Sequence, residues 1–162
     1  GVQTCALPIF LILGKALSGG VFPVSAVLAS DEVMLTILPG EHGSTYGGNP
    51  LACKVAMEAL KILKDEKLDE QAERLGKIFR ETLRAVDRPW IKEVRGKGLL
   101  NALEVSSDLG VEAWDVCVKL REAGVLAKPT HDTIIRFAPP LVMTEDQLKE
   151  CLGIIVSVLE TL

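Results

Sequence analysis

The sequence predicts an α/β chain in two parts: the closing portion of a larger α/β unit over residues 10–66, then a small α+β unit over residues 67–162. Three observations carry this expectation. Short aliphatic runs alternate with segments whose apolar residues recur every three or four positions, the pattern of strands alternating with amphipathic helices. The charged stretch Asp65-Glu66-Lys67 interrupts that pattern between two helical segments. Beyond it, strand and helix signals mix closely and end in a capped helix, as in a compact α+β unit.

The elements follow in order. Leu11-Ile12-Leu13 reads as a short buried strand, and Gly14 allows a sharp departure from it. Val21 to Leu28 is apolar and partly β-branched, a strand entered through Pro23. Asp31 to Leu38 suits a short helix or turn. "PGEHGSTYGGNP", residues 39–50, is a loop rich in glycine and proline. It ends in a helix start, with Asn49 as cap and Pro50 at the first helical position. Leu51, Val55, Ala59, Leu60 and Leu63 then keep helical spacing through Lys64. A second amphipathic helix runs from Asp69 to Val86, carrying Ala72, Leu75, Ile78, Phe79, Leu83 and Val86 on one stripe. Trp90 to Val94 and Leu99 to Val105 read as strands joined by "RGKG", a tight turn. Val111 to Ala123 is a helix closed by Gly124. Val125 to Lys128 and Thr133 to Ala138 are short strands before Pro139-Pro140. Thr144 and Gln147 form a capping box for a last helix that turns Leu148, Leu152, Ile155 and Leu159 inward.

Composition excludes several function classes. With 162 residues, 48% of them apolar, the chain can bury a substantial core. A net charge of −4 and an aromatic content of 4% argue against nucleic acid or an anionic membrane as partner. The longest apolar run, Ala6 to Leu13, falls far short of the ~20 residues a spanning helix needs. The four cysteines are scattered without metal-ligand spacing, which fits reduced thiols in a soluble intracellular protein of the cytoplasm or mitochondrial matrix.

The opening "GVQTCALPI" has no methionine and neither periodicity. It is the translation of a common sequencing adapter, GGA GTT CAG ACG TGT GCT CTT CCG ATC. Residues 1–9 are therefore expected to be an artefact, with Phe10 at the junction and the remainder the C-terminal part of a longer protein. A genomic exon encoding these residues would overturn that expectation.

Three features carry chemistry. Lys15 stands at a strand end beside Ser18-Gly19-Gly20, where small residues leave room. Desolvation favours the neutral amine, a nucleophile able to form a Schiff base with a carbonyl. "HGSTYGGNP" brings backbone N–H groups, the hydroxyls of Ser44 and Thr45 and a helix N-terminus together, which would suit a phosphate. Arg136 lies inside the apolar run "IIRFAPP", where a planar guanidinium would clamp a carboxylate. Taken singly, each has a plainer reading: a surface lysine, an ordinary capped turn, a salt bridge at an edge strand.

Together they match what a pyridoxal-phosphate enzyme acting on amino acids needs. "LGKALSGG", "HGSTYGGNPLAC", "VRGKGLLNAL" and "KPTHDTIIRFAPPL" resemble the class III, fold-type I aminotransferases that act on ω-amino groups. The resemblance runs from about Leu11 to the C-terminus. It implies that residues 10–66 end the cofactor-binding large domain and residues 67–162 form the small C-terminal domain. It implies pyridoxal 5′-phosphate as cofactor and Lys15 as the catalytic lysine that bonds it. Ser44 and Thr45 would reach the cofactor phosphate of a neighbouring subunit, so a homodimer or higher homo-oligomer is implied. Arg136 would receive a carboxylate of glutamate or 2-oxoglutarate. "GEHGSTYGGNP" and "LAKPTH" point to ornithine as amine donor, with N-acetylornithine or 4-aminobutyrate as alternatives. The family's aspartate against the pyridine nitrogen precedes the lysine, so this stretch alone is expected to be inactive. A non-catalytic protein retaining the fold would have lost the lysine, and an unrelated phosphate-binding module would show no cofactor absorbance.

Overall fold

The computed structural model describes residues 9–162, so the adapter-like segment lies outside the described residues except for Ile9. The chain divides into two compact units, Gly1–Glu66 and Lys67–Leu162.

In the first unit, β1 (Phe10–Leu13) pairs antiparallel with β2 (Ala26–Ala29), Phe10 opposite Ala29. The second strand is shorter than the expected Val21–Leu28. Gly19 and Gly20 hold left-handed backbone at φ 65° and 84°, and Ser18 clasps the turn. Its hydroxyl donates to the Phe22 carbonyl and accepts from the Phe22 N–H at 3.1 Å. That clasp and Pro23 keep residues 21–25 out of the ladder. A single helical turn, α1 (Asp31–Met34), precedes the 39–49 loop. The loop ends where expected: Asn49 Oδ1 accepts from the N–H groups of Leu51 and Ala52 at 3.0 and 3.2 Å, opening α2 (Pro50–Asp65).

This unit buries little of its own apolar surface. Ala52 and Ala56 are its buried apolar side chains among the described residues. Phe10, Leu11 and Ile12 on β1 stand exposed, against the expectation of a buried strand, as do Leu51, Met57 and Leu60 on α2. A two-stranded ribbon has no second layer to cover it.

The second unit has a full core. An antiparallel sheet of β3 (Ile91–Lys97), β4 (Leu100–Val105), β5 (Lys128–Thr130) and β6 (Ile134–Phe137) runs in the order β3-β4-β6-β5. Helices α3 (Leu68–Arg84), α4 (Ala113–Glu122) and α5 (Glu145–Glu160) bury its inner face. Asn101, Leu103 and Val105 alternate inward along β4, while Leu100, Ala102 and Glu104 face the other way. Phe79 and Phe137 meet at the core with ring centroids 5.2 Å apart. The capping box forms in full, Gln147 N donating to Thr144 Oγ1 at 3.2 Å and Thr144 N to Gln147 Oε1 at 3.0 Å.

One strand differs from expectation. Val125 was expected in a strand to Lys128, but its N–H donates to the Leu120 carbonyl at 2.8 Å, and Gly124 N donates to Arg121 O at 3.0 Å. This 6→1 and 5→2 pair is a Schellman closure of α4. It uses the backbone that a strand would need, so β5 begins only at Lys128.

Candidate active site

Lys15 opens a short 3-10 turn, Lys15–Ser18, directly after β1 and Gly14. Its backbone is left-handed, φ 51°, an uncommon state for a residue with a side chain. Such strain costs about 1–3 kcal/mol and gathers at functional positions. The lysine is exposed and makes no ion pair among the described residues. The chain thus presents the amine but supplies none of the burial expected around it. Ser18, taken from the sequence as part of the clearance, is instead buried and spent on its clasp. The clearance itself survives at Gly20, where an added Cβ would meet nothing within 4 Å. Gly19 passes α2, with Ala59 Cβ only 3.5 Å from where a Cβ would stand.

In the 39–49 loop, Ser44 Oγ accepts from Gly47 N at 2.9 Å, leaving its O–H free to donate. Thr45 is exposed with its hydroxyl uncommitted among the described residues. The helix N-terminus expected to assist is partly closed, since Asn49 already holds two of its donors. Hydroxyls and loop backbone are what remains for an anion. The loop enters α2 at Asn49, ten residues before Ala59, a span of about 15 Å at 1.5 Å per residue.

Arg136 lies on β6, which is flanked by β4 and β5 and is not an edge strand. Ladder register places Arg95, Ala102, Arg136 and Lys128 in one row on the outer face. Arg95 is neutralised there by Glu93 and by Glu104, the latter at 2.7 Å. Glu104 also takes Lys92 at 3.1 Å. Hydrogen bonds from Arg95 and Lys92 hold the Glu104 carboxyl below the usual carboxylate range. Arg136 is exposed and pairs with no carboxylate among the described residues. The plainer reading of "IIRFAPP", a salt bridge at an edge strand, therefore fails on both counts. Lys128, Thr130 and the Arg95–Glu104 pair belong to the same face and escaped the sequence reading. Period-2 alternation within "KPT" and "IIRF" was legible, but which residues share a row depends on pairing register.

These residues fit a pyridoxal-type cofactor: an amine presented in the open, room above Gly20, hydroxyl donors on a glycine-rich loop. A guanidinium with no carboxylate partner among the described residues lies on the second unit. Comparison with known proteins gives the class. Residues 6–159 match the family model described as Aminotransferase class-III, and the chain belongs to that family of pyridoxal-phosphate enzymes. More particularly, it is 58% identical over 148 residues to "Ornithine aminotransferase, mitochondrial" of Drosophila melanogaster, covering 91% of this chain and 34% of that protein. It is 55% identical to the Rattus norvegicus protein of the same name, with the same coverage. Among solved structures, the ornithine aminotransferase of Toxoplasma gondii superposes with TM-score 0.91 at 52% identity, over 95% of this chain and 37% of that one. The acetylornithine aminotransferase of Elizabethkingia anophelis gives TM-score 0.89 at 53% identity, over 98% and 40%. The chain spans about a third of the length of the curated relatives it matches.

Proposed function

We propose that the whole protein is an ornithine aminotransferase, converting L-ornithine and a 2-oxo acid to L-glutamate 5-semialdehyde and an L-amino acid. The observation that carries an amino-acid substrate is Arg136, an exposed guanidinium on a central strand with no carboxylate partner among the described residues. Its planar fork suits a carboxylate bidentately, as glutamate or 2-oxoglutarate would offer. Ornithine is favoured as donor because the curated relatives at 55–58% identity carry that name.

Pyridoxal phosphate, when bound, supplies the aldehyde that takes up an amine and the ring that withdraws electrons from the adjoining carbon. Lys15 Nζ would hold the cofactor and would serve as the base that moves the proton to and from the reacting carbon. Lys15 takes left-handed backbone directly after Gly14, at the end of β1. Ser44 and Thr45 donate their hydroxyl protons to the cofactor phosphate. The separation along α2 between the loop and the turn that carries Lys15 supports service to a partner subunit's cofactor, hence a homodimer or higher homo-oligomer. Residues 10–66 are accordingly the end of the cofactor-binding domain and residues 67–162 the small domain. No helix among the described residues is long and apolar enough to cross a membrane. The names of the relatives support the mitochondrial matrix, or else the cytoplasm, as the compartment.

A second reading, an acetylornithine aminotransferase, is favoured by the 53% identity to the Elizabethkingia anophelis structure. Single-turnover assays of the full-length enzyme with ornithine, N-acetylornithine and 4-aminobutyrate separate the readings. Ornithine is expected to react fastest; a clear preference for either other donor overturns the proposal. Borohydride reduction of the holoenzyme followed by peptide mapping should leave a pyridoxyl group on Lys15, and a label on another lysine would remove Lys15 from its role. The stretch 10–162 alone should show no turnover.

A further inference from the structure

The outer face of the sheet holds two groups without partners among the described residues. Thr130 Oγ1 is the one buried side-chain polar atom with no hydrogen-bond partner among the described residues. The Arg136 guanidinium is the other. Both line one groove of about 320 Å³, together with Arg95, Leu100, Ala102 and Ile134. Thr130 pairs across the ladder with Ile134, so Thr130 and Arg136 are diagonal neighbours on the same face. Such neighbours lie about 7–8 Å apart, within the reach of an arginine side chain.

A buried hydroxyl without a partner is costly, and Arg136 is a strong donor on the same face of the ladder. A guanidinium carries five N–H donors in a rigid fork, and a bidentate carboxylate occupies only one edge of it. The other edge is left open to solvent or to an acceptor on the sheet face. Arg95 finds acceptors in Glu93 and Glu104, whereas Arg136 has no carboxylate of its own among the described residues. Lys128 sits directly opposite Arg136, and like charges so placed repel. An anion at Arg136 would relieve that repulsion.

We infer that Thr130 is a positioning residue for Arg136: when a substrate carboxylate engages one edge of the guanidinium, Thr130 Oγ1 accepts an N–H from the other edge and fixes the fork. The inference rests on the proposed carboxylate-binding role of Arg136. It accounts for two unsatisfied groups with one hydrogen bond, and it makes Thr130 specific to the half-reaction that uses this carboxylate.

The test uses the full-length, cofactor-loaded enzyme with Thr130→Val, Thr130→Ser and Arg136→Lys, following each half-reaction by single-turnover absorbance. Thr130→Val keeps the shape and removes the acceptor. It should weaken 2-oxoglutarate binding about five- to tenfold while changing the limiting rate less than about twofold. The ornithine half-reaction should be unchanged, and Thr130→Ser should restore affinity. Thermal stability of Thr130→Val should stay level or rise, because an orphaned buried hydroxyl is lost. Combining Thr130→Val with Arg136→Lys should give less than the sum of the two losses. Unchanged 2-oxoglutarate affinity in Thr130→Val, beside a selective loss in Arg136→Lys, overturns the inference and leaves the Arg136 reading standing. A fall in thermal stability with equal slowing of both half-reactions shows a structural threonine and also overturns it. Equal losses in both halves for Arg136→Lys remove the carboxylate reading itself, and the inference with it.

Discussion

Thr45 illustrates how much rests on a single hydroxyl. Ser44 is partly engaged by Gly47 N, while Thr45 has no commitment inside the described chain. A hydroxyl donating to a phosphate makes a charge-assisted hydrogen bond, worth about 1.5–3 kcal/mol. Thr45→Ala in the full-length enzyme should therefore weaken cofactor retention by about one to two decades. Absorbance titration of the apoenzyme measures it, and an unchanged dissociation constant would detach the loop from the cofactor. At this scale the candidate residues were legible because each is chemically out of place: a cation beside a strand, hydroxyls in a glycine loop, a guanidinium in an aliphatic run. Thr130 was not legible, because a threonine in a strand is ordinary. Only its buried, partnerless oxygen sets it apart.

Elements owe their boundaries to caps and close approaches. Asn49, Thr144 and Gly124 were readable as helix ends, since each satisfies orphan backbone groups by local chemistry. The close approach of α3 to the β3–β4 turn was not. A Cβ on Gly76 would lie 1.8 Å from the Gly98 carbonyl oxygen, a backbone atom. That oxygen also accepts from Arg80 Nη1 at 3.0 Å and from the side chain of buried Asn101 at 3.2 Å. Neither side can yield without breaking this cluster. Gly76→Ala should destabilise the second unit by about 1–3 kcal/mol or more, although alanine is the better helix former. Chemical denaturation of the variant would show it, and a neutral or stabilising result would mean that α3 slides freely over the turn.

At the scale of the molecule, the two units differ in what they bury. The second has a contiguous apolar core from Ala72 to Leu159, whereas the first leaves β1 and much of α2 uncovered within this chain. Residues 67–162 expressed alone should melt cooperatively, and residues 10–66 alone should not; circular dichroism on both pieces decides. The second unit should also lose stability on the acid side. Lys97 and the Gly98 N–H hold the Glu73 carboxyl low, Arg95 and Lys92 do so for Glu104, and Lys149 and Arg74 for Glu145. A carboxyl depressed in the folded state stabilises above its unfolded value, here 4.5, and that contribution is lost as pH falls through the lower folded value. The urea midpoint of residues 67–162 should drop below about pH 4.5, with a shallower acid slope in Glu73→Gln and Glu104→Gln.

The order of most strands and helices, the helix ends at Asn49, Gly124 and Thr144, the family, and the candidacy of Lys15, Ser44, Thr45 and Arg136 were all legible in the sequence alone. These rest on local periodicity, hydrogen-bonding chemistry and residue types within a few positions of one another. Tertiary structure decided what depends on partners distant in the chain. It placed Arg136 on a central strand, set Lys128 and Thr130 beside it, and shortened β2 and β5. Strand pairing selects a row of neighbours by register, and burial depends on what covers a face, and neither is written in any single segment.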